Sequence, residues 1–556
     1  MLVNVAIDGA QLYRDKASDC QIGIWVVLNL SPDQQYKKPY VLPAFFIPRP
    51  NKPDNMQSFM LPSLRHVSAL QWEGLVVYDG RRKCQINSCP FFAFGTADTV
   101  ALPLLSGAVG HHGNNGCRQG CGMPGWHIPN KPTYYPAVLK PDNYTIAKCS
   151  HDDIDVGKLG LPDCSRYQQD LKTVLASRNE AQFKKCRHLT GIVEPSICLG
   201  FQEKLMVPVP WCFTLDLMHL VSLNIPSHLV SIWWNLSDIK ITYENSIKPE
   251  FIVLDDINIW QEHGKLVMAT HHYLPELFDR LPRDPLKKIN SGYKAIEWLN
   301  YFWVLGPALF RIVLPSNLWQ HYCKLICGIR LLHQRVIVEE DLKNAHCLLM
   351  QWEHDFELLY YQRKVNRLHL VCPCIHAVVH AARETFRCGP LNLLAQWVLE
   401  NMTGNLGREI HQHLNPFMNL CQHGLLRAQT NVLKAVIPEL DHELPLPHST
   451  EPIGDGYVLL TARDDKDHLI SDVMQIHALK KFFAENEEWE MDEPKRISDG
   501  TFSLECWARL RLPNGQTARC AWKEIENGLT HRSHNVKACT LSFEFNLVSE
   551  LHLVFD

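Results

Sequence analysis

The order of local patterns in the first hundred residues constrains this fold more than any other feature. LVNVAID, IGIWVVLNL and YVLPAFFIP are β-branched or aromatic-rich runs bounded by turn residues, which predicts three consecutive strands within residues 2–48. After the Pro-rich turn PRPNKPDN comes MQSFMLPSLRHVSALQW. There Met56, Phe59, Met60, Leu64 and Val67 recur at helical spacing, and Pro62 predicts a kink. GLVVYDGRRKCQINS sets an Asp79-Gly80 turn between two strand-like runs, the signal of a hairpin. CPFFAFGTAD then reads as a further strand that ends at Asp98.

Three strands, a helix and another strand, with the hairpin as an elaboration, is the element order of an RNase H-like α/β fold. One acid, Asp8, closes the first strand and another, Asp98, closes the last. Asp79 also sits at a strand end in YDG and rivals Asp98 for the second place. Beyond residue 98 the texture changes. A Gly/Asn/Pro-rich stretch holding Cys117 and Cys121 leads into segments of helical periodicity, among them PELFDRL, SNLWQHYCKLICGIRLLHQRV and EDLKNAHCLLMQWEHDFELLYYQRKV. VCPCIHAVVHAARETF and GPLNLLAQWVLENMTG continue the helical pattern, with Pro390 suited to a first turn and Gly404 to a stop. PELDHELPLPHSTEPIGDG is a Pro-rich linker, and YVLLTA, TFSLECWARLRL, GQTARCAWKEI and ACTLSFEFNLV predict a small β-rich terminal domain. The expected division is 1–98 for the first part of the core, 99–365 for the Cys-containing loop and a helical insertion, and 366–436 for a helical second part. A linker at 437–453 and a β-rich domain at 454–556 complete it.

With 46% hydrophobic residues, 21% charged and 15 Trp, the chain can bury a large core. LDLMHLVSLNIPSHLVSIWW carries Asp216, His219, Pro226 and His228, so no membrane span is expected. MLVNVAIDGAQLYRDK lacks the basic-then-apolar order of a signal peptide, and 20 Cys without one predict reduced thiols in core or zinc-ligand roles. A nuclear or cytosolic location follows. Fifty-five Lys and Arg against 59 Asp and Glu leave a net charge of −4. Arg81-Arg82-Lys83, Lys184-Lys185-Cys186-Arg187 and Lys287-Lys288 permit a nucleic-acid groove, but each also reads as a solvated face.

Acids at the ends of neighbouring strands suit phosphodiester chemistry. In-line displacement is served by two divalent ions about 3.5–4 Å apart, held by a few carboxylates and the substrate's own oxygens. IDGAQLYRDKASDCQIGIWVVLNLSPDQQYKKPYVLPAFFIPRPNKPDNMQSFMLPSL resembles the catalytic-core start of CACTA (En/Spm) transposases, particularly their fungal relatives. These share an acid-Gly opening, a "W…LNLPP…RYKK" run, "IPGPNKP" and "FL.PL". FGTADTVALPLLSG is similar to the family's "DFPA…LSG", GCRQGCGMPGWH to its Cys pair, DLMHLVSLNI to its "D.MH" and LENMTGNLGREI to "FER.MG.L". GYVLLTARDD and RLPNGQTARCAWKE resemble the terminal portion of the fungal branch, so the likeness runs in order through most of the chain.

Carried over residue by residue, the resemblance implies Asp8, Asp98 and Glu400 as carboxylate ligands of Mg²⁺ or Mn²⁺. Cys117 begins 19 residues after Asp98, and Glu400 lies 20 residues after His380, spacings similar to those of this class. The resemblance also implies one structural Zn²⁺ shared by Cys117, Cys121, His376 and His380. The family pattern has two residues between its cysteines where this chain has three, so His127, Cys372 or Cys374 stand as substitutes. For Asp216 and His219 the residues suggest only a helix cap with a packed histidine, or a helper in the active site.

The implied function is nicking at transposon ends followed by joining of the freed 3′-hydroxyl to target DNA, in the nucleus. The first strand starts almost at Met1. The expectation is therefore a fragment or inactive copy, a copy with a mis-predicted start, or a remnant that relies on a partner supplying a DNA-binding domain; a homo-oligomer is the other expected partner state. The alternative is a non-catalytic, zinc-stabilised nuclear interaction or DNA-binding protein descended from a transposase.

Overall fold

Four strands form the main sheet: β1 (Leu2–Gln11), β2 (Asp19–Val27), β3 (Leu42–Pro48) and, after helix α1 (Gln57–Glu73) and the hairpin β4 (Leu75–Asp79) and β5 (Cys84–Ser88), strand β6 (Phe91–Ala97). Their order is β3-β2-β1-β6. β1 runs antiparallel to β2 and parallel to β6, with Ile7 opposite Ala97 as the last pair of the parallel register. The fold, in a computed structural model, is mixed α/β. It describes residues 1–11, 19–31, 34–37, 39–48, 53, 55–146, 151–160, 163–241, 243, 247–274, 278, 280–290, 292–409, 415–440, 450–463, 468–469, 476–477, 503–504, 507–513 and 517–519.

Strand alternation decides which side chains meet which helix. Val3, Val5 and Ile7 of β1 face α1, where Met60, Leu64 and Val67 are buried against them. Each such side chain contributes on the order of 2 kcal/mol of burial. Phe59, expected on that stripe, is half exposed. The other face, with Ala6, Ile22 and Ile24, is covered by Leu399, Met402 and Leu420. Asp8, in step with Ala6, therefore belongs to the face that carries Glu400. β1 extends past Asp8 to Gln11, so this acid does not close its strand; it stands where the pairing with β6 stops.

Beyond β6, a short helix α2 (Leu102–Ser106) begins the excursion that returns at Met206. There the chain runs parallel beside β6, with Met206 opposite Phe92 and Phe213 opposite Gly95. Val207 N donates to Phe92 O at 2.9 Å and Gly95 N to Cys212 O at 2.8 Å. This bridged segment fills a fifth position at the sheet edge, inside a stretch that reads as helical from its sequence.

A large helical body follows, including α3 (Ser316–Leu332), α4 (Glu339–Phe356) and α5 (Pro373–Cys388). Its core is dense in aromatic rings, among them Trp126, Trp233, Trp260, Tyr322 and Trp352. Helices α6 (Trp397–Glu409) and α7 (Pro416–Val436) then return to the sheet. α6 runs through Gly404, expected as its stop, because Leu399 and Met402 anchor it on the sheet. α7 approaches β3 closely at Gly424, where a Cβ would meet the Phe46 ring at 2.8 Å.

The chain divides into two compact units, Met1–Val267 with Arg283–Ile437, and Met268–Pro282 with Pro438–Asp556. The second holds β7 (Glu451–Gly454), β8 (Tyr457–Arg463), β9 (Trp507–Arg511) and β10 (Thr517–Arg519) in a sheet of order β10-β9-β8-β7. ACTLSFEFNLV, expected to add a strand, lies outside the described residues, as does part of PELFDRL. Among the described residues no helix is long and apolar enough to cross a membrane.

Candidate metal centres

Two groups of ligand-type side chains converge in the first unit. The acidic group joins Asp8 of β1, Glu400 of α6 and His219, with one donor atom from each lying within 4.8 Å of the others. Asp8 is 7% exposed, whereas half of the Glu400 side chain reaches solvent. Glu400 sits in the first turn of α6, so its charge also favours the helix dipole. His219 Nε2 lies 3.8 Å from Glu400 Oε1.

His219 is aimed by Asp216. The Asp216 carboxylate caps the helical turn that starts at Leu217, accepting from Met218 N at 3.1 Å and His219 N at 3.4 Å. It also bonds the His219 ring through Nδ1. That bond leaves Nε2 facing the acids, the carboxylate–imidazole arrangement that orients metal-bound histidines. Burial opposes the His219 cation, but the Asp216 bond and the charges of Asp216, Asp8 and Asp98 outweigh it and hold the ring at about 9. Burial raises Asp8 to about 7; His219 pulls it down, while Glu400 and Asp98 push it up. A divalent cation would remove that repulsion, so the donor set fits a hard metal ion.

Asp98 stands immediately past the last β1–β6 pair, level with Asp8, and its charge acts on both Asp8 and His219. One oxygen closes the turn that leads into α2, accepting from Val100 N at 3.1 Å and Ala101 N at 2.6 Å. It is not one of the three donors within 4.8 Å of one another. Asp79 sits elsewhere, in the β4–β5 hairpin. Its carboxylate accepts from Arg81 N and Arg82 N at 3.0 Å each and pairs with the Arg82 side chain. The turn itself accounts for Asp79.

The second group is Cys117, Cys121, His376 and His380, also within 4.8 Å of one another. Cys117 Sγ lies 3.4 Å from His380 Nε2, Cys121 Sγ 3.4 Å from His376 Nε2, and the two Nε2 atoms are 3.1 Å apart. Zinc bonds of about 2.0–2.1 Å to nitrogen and 2.3 Å to sulfur imply tetrahedral edges of roughly 3.3–3.8 Å, within a few tenths of an ångström of these spacings, so the four could hold one ion of this size. The histidines occupy one face of α5, four residues apart. Three residues between the cysteines suffice because Gly120 turns the loop at φ 62°. The Cys121 thiol bonds Cys117 and, with both imidazoles facing it, holds that thiol well below the usual range. Metal ions bind cysteine as the thiolate.

His127 lies outside this group, its backbone N–H donating to the Tyr144 hydroxyl. Cys372 and Cys374 form a separate pair, Sγ to Sγ 2.9 Å, beside His228. A cavity of about 610 Å³ is lined by Asp98, Asp216 and His219 together with Cys117, His376 and His380.

The chain matches no protein-family model, and no curated protein matches it.

Proposed function

We propose that this protein is a transposase-like polynucleotidyl transferase built on an RNase H-like core, cutting and joining DNA at the Asp8–Glu400 centre. The observation that carries the reading is the convergence of Asp8 and Glu400, drawn from opposite ends of the first unit, within 4.8 Å on one face of the sheet. The strand order β3-β2-β1-β6, with a parallel segment at a fifth position, supports the same reading. So does the ordered resemblance to CACTA transposases.

Two Mg²⁺ or Mn²⁺ ions at such a centre would supply an activated water or 3′-hydroxyl and charge stabilisation of the leaving oxygen. Asp8 and Glu400 would hold them, with Asp98 as the third carboxylate. His219, aimed by Asp216, borders the same centre and offers either a nitrogen ligand or, as a cation, a hydrogen bond to a phosphate oxygen. The Cys117–Cys121–His376–His380 group ties the loop after β6 to α5 and so keeps the cavity wall in place; its role is structural. DNA at transposon ends and targets is the substrate this reading assigns, and the nucleus the place.

The test is Mg²⁺- or Mn²⁺-dependent nicking of supercoiled plasmid by the full chain, with Glu400→Gln beside it. Nicking by the parent and at least a hundredfold loss in the variant is the expected result. Equal activity in both removes Glu400 from the reaction. No nicking by either favours the second reading, a zinc-stabilised binding protein descended from a transposase, which the net charge of −4 and the Cys₂His₂ group suit.

A further inference from the structure

The geometry points to Gln396 as the positioning residue that locks the acidic centre together. Gln396 is 2% exposed and lies one turn before Glu400, whose backbone N–H donates to its carbonyl at 3.0 Å. With its amide turned so that the oxygen meets donors, Oε1 accepts from Ala97 N at 3.0 Å and Asp98 N at 3.3 Å. Its own backbone N–H donates to Asp216 Oδ1 at 3.2 Å. One residue thus touches the end of β6 at Asp98, the carboxylate that aims His219, and the helix that presents Glu400.

The location explains why such a residue is required. Ala97 N and Asp98 N stand at the last pair of the β1–β6 ladder, Ile7 with Ala97, beyond which β1 offers β6 no further pairing. A buried amide without an acceptor costs about 1–3 kcal/mol, which gives the Gln396 oxygen a defined seat. The centre joins elements far apart in sequence, and metal ligands misplaced by an ångström lose much of their affinity.

This inference rests on the metal-centre reading for its functional consequence, but not for its structural test. Gln396→Met keeps the volume and removes the acceptor; Gln396→Glu keeps an acceptor oxygen. The full chain is measured for amide hydrogen exchange over residues 91–101, for Mn²⁺ affinity, for zinc content and for melting temperature. Gln396→Met is expected to exchange at least tenfold faster at residues 97 and 98 and to bind Mn²⁺ at least tenfold more weakly, with zinc content and melting temperature held. Gln396→Glu is expected to restore the exchange protection. Mn²⁺ affinity and exchange within twofold of the parent in Gln396→Met overturn the proposal. So does loss of affinity in proportion to melting temperature and zinc, which marks a merely structural residue. A parent that binds no Mn²⁺ refutes the metal reading, and the exchange comparison alone then decides whether Gln396 holds the β6 end.

Discussion

Removing a metal ion held by the Cys₂His₂ group should perturb the fold at a joint whose worth follows from chain connectivity. Cys117 and His380 are 263 residues apart, and Cys121 and His376 are 255 apart. Cross-linking a loop of that length removes about 5–6 kcal/mol of chain entropy from the unfolded state, by the loop-closure relation. The first unit has roughly 420 residues, so its unfolding entropy is about 0.9 kcal/mol per degree and this loss corresponds to a fall of about 6 °C. Ligand bonding enlarges the effect, because the apo group leaves two thiols and two imidazoles crowded at 3.1–3.4 Å. The assay is zinc by mass spectrometry and melting by circular dichroism, before and after dialysis against 1,10-phenanthroline. The expected results are one zinc per chain, a fall of at least 5 °C on removal, and recovery on adding zinc back. His380→Ala should start at the lower temperature and respond little to the chelator. Less than about 0.2 zinc per chain in freshly purified protein, or an unchanged melting temperature once zinc is gone, would refute the reasoning.

Three other perturbations separate the roles assigned above. Asp216→Asn should weaken Mn²⁺ binding by about 10–100-fold through the orientation of His219, read by calorimetry; parental affinity would leave His219 outside the centre. Asp98→Asn keeps an acceptor for Val100 N and Ala101 N but removes the charge and should abolish nicking, whereas Asp79→Ala should cost about 1 kcal/mol at the hairpin turn and leave nicking intact; the reverse pattern would hand the second place to Asp79. In the helical body, Glu357 accepts from Val138 N and Leu139 N, and burial raises it to about 7, while burial beside Glu357 raises Glu353 well above its usual range. The folded state therefore binds more protons than the unfolded one, so this stability is complete below about pH 4.5 and is lost as pH rises through 7, by about 3 kcal/mol. Glu353→Gln should flatten that dependence, stabilising the protein at pH 8 and changing little at pH 5 in urea titrations.

Much of the sheet was legible because strands announce themselves locally. β1, β2, β3 and β6, the Asp79 hairpin and α1 follow from runs and turns within a few residues. The fifth position at residues 206–213 was not, because its pairing to β6 amounts to two isolated bridges and its Pro-rich sequence, VPVPWCF, carries no alternation. Phe59 fits the apolar period of α1 yet is half exposed, and period alone does not reveal where cover ends. At the candidate centres, the Cys and His pairs were readable from spacing and resemblance, but their convergence is a long-range fact. His219 was visible only as part of D-L-M-H with no task attached. Gln396 carried no signal at all, since a glutamine on a helix looks like any solvated one until the ladder beside it is known to end at Ala97.

The parallel register of β1 and β6 also governs how this protein can be altered. Substitutions in either strand are absorbed one position at a time, but a single residue gained or lost ahead of Asp8 turns every later side chain to the opposite face. Asp8 would then point toward α1 and Ile7 toward Glu400, an inversion that no compensating point change repairs. Between the two strands lie the β2–β3 connection, the hairpin and its exposed turn, where added length leaves the phase untouched. Reading-frame-preserving insertions should therefore be tolerated at the β4–β5 turn and rejected within residues 2–8 and 91–98, so an insertion scan would trace the face of the sheet that carries Asp8 without any assay of chemistry.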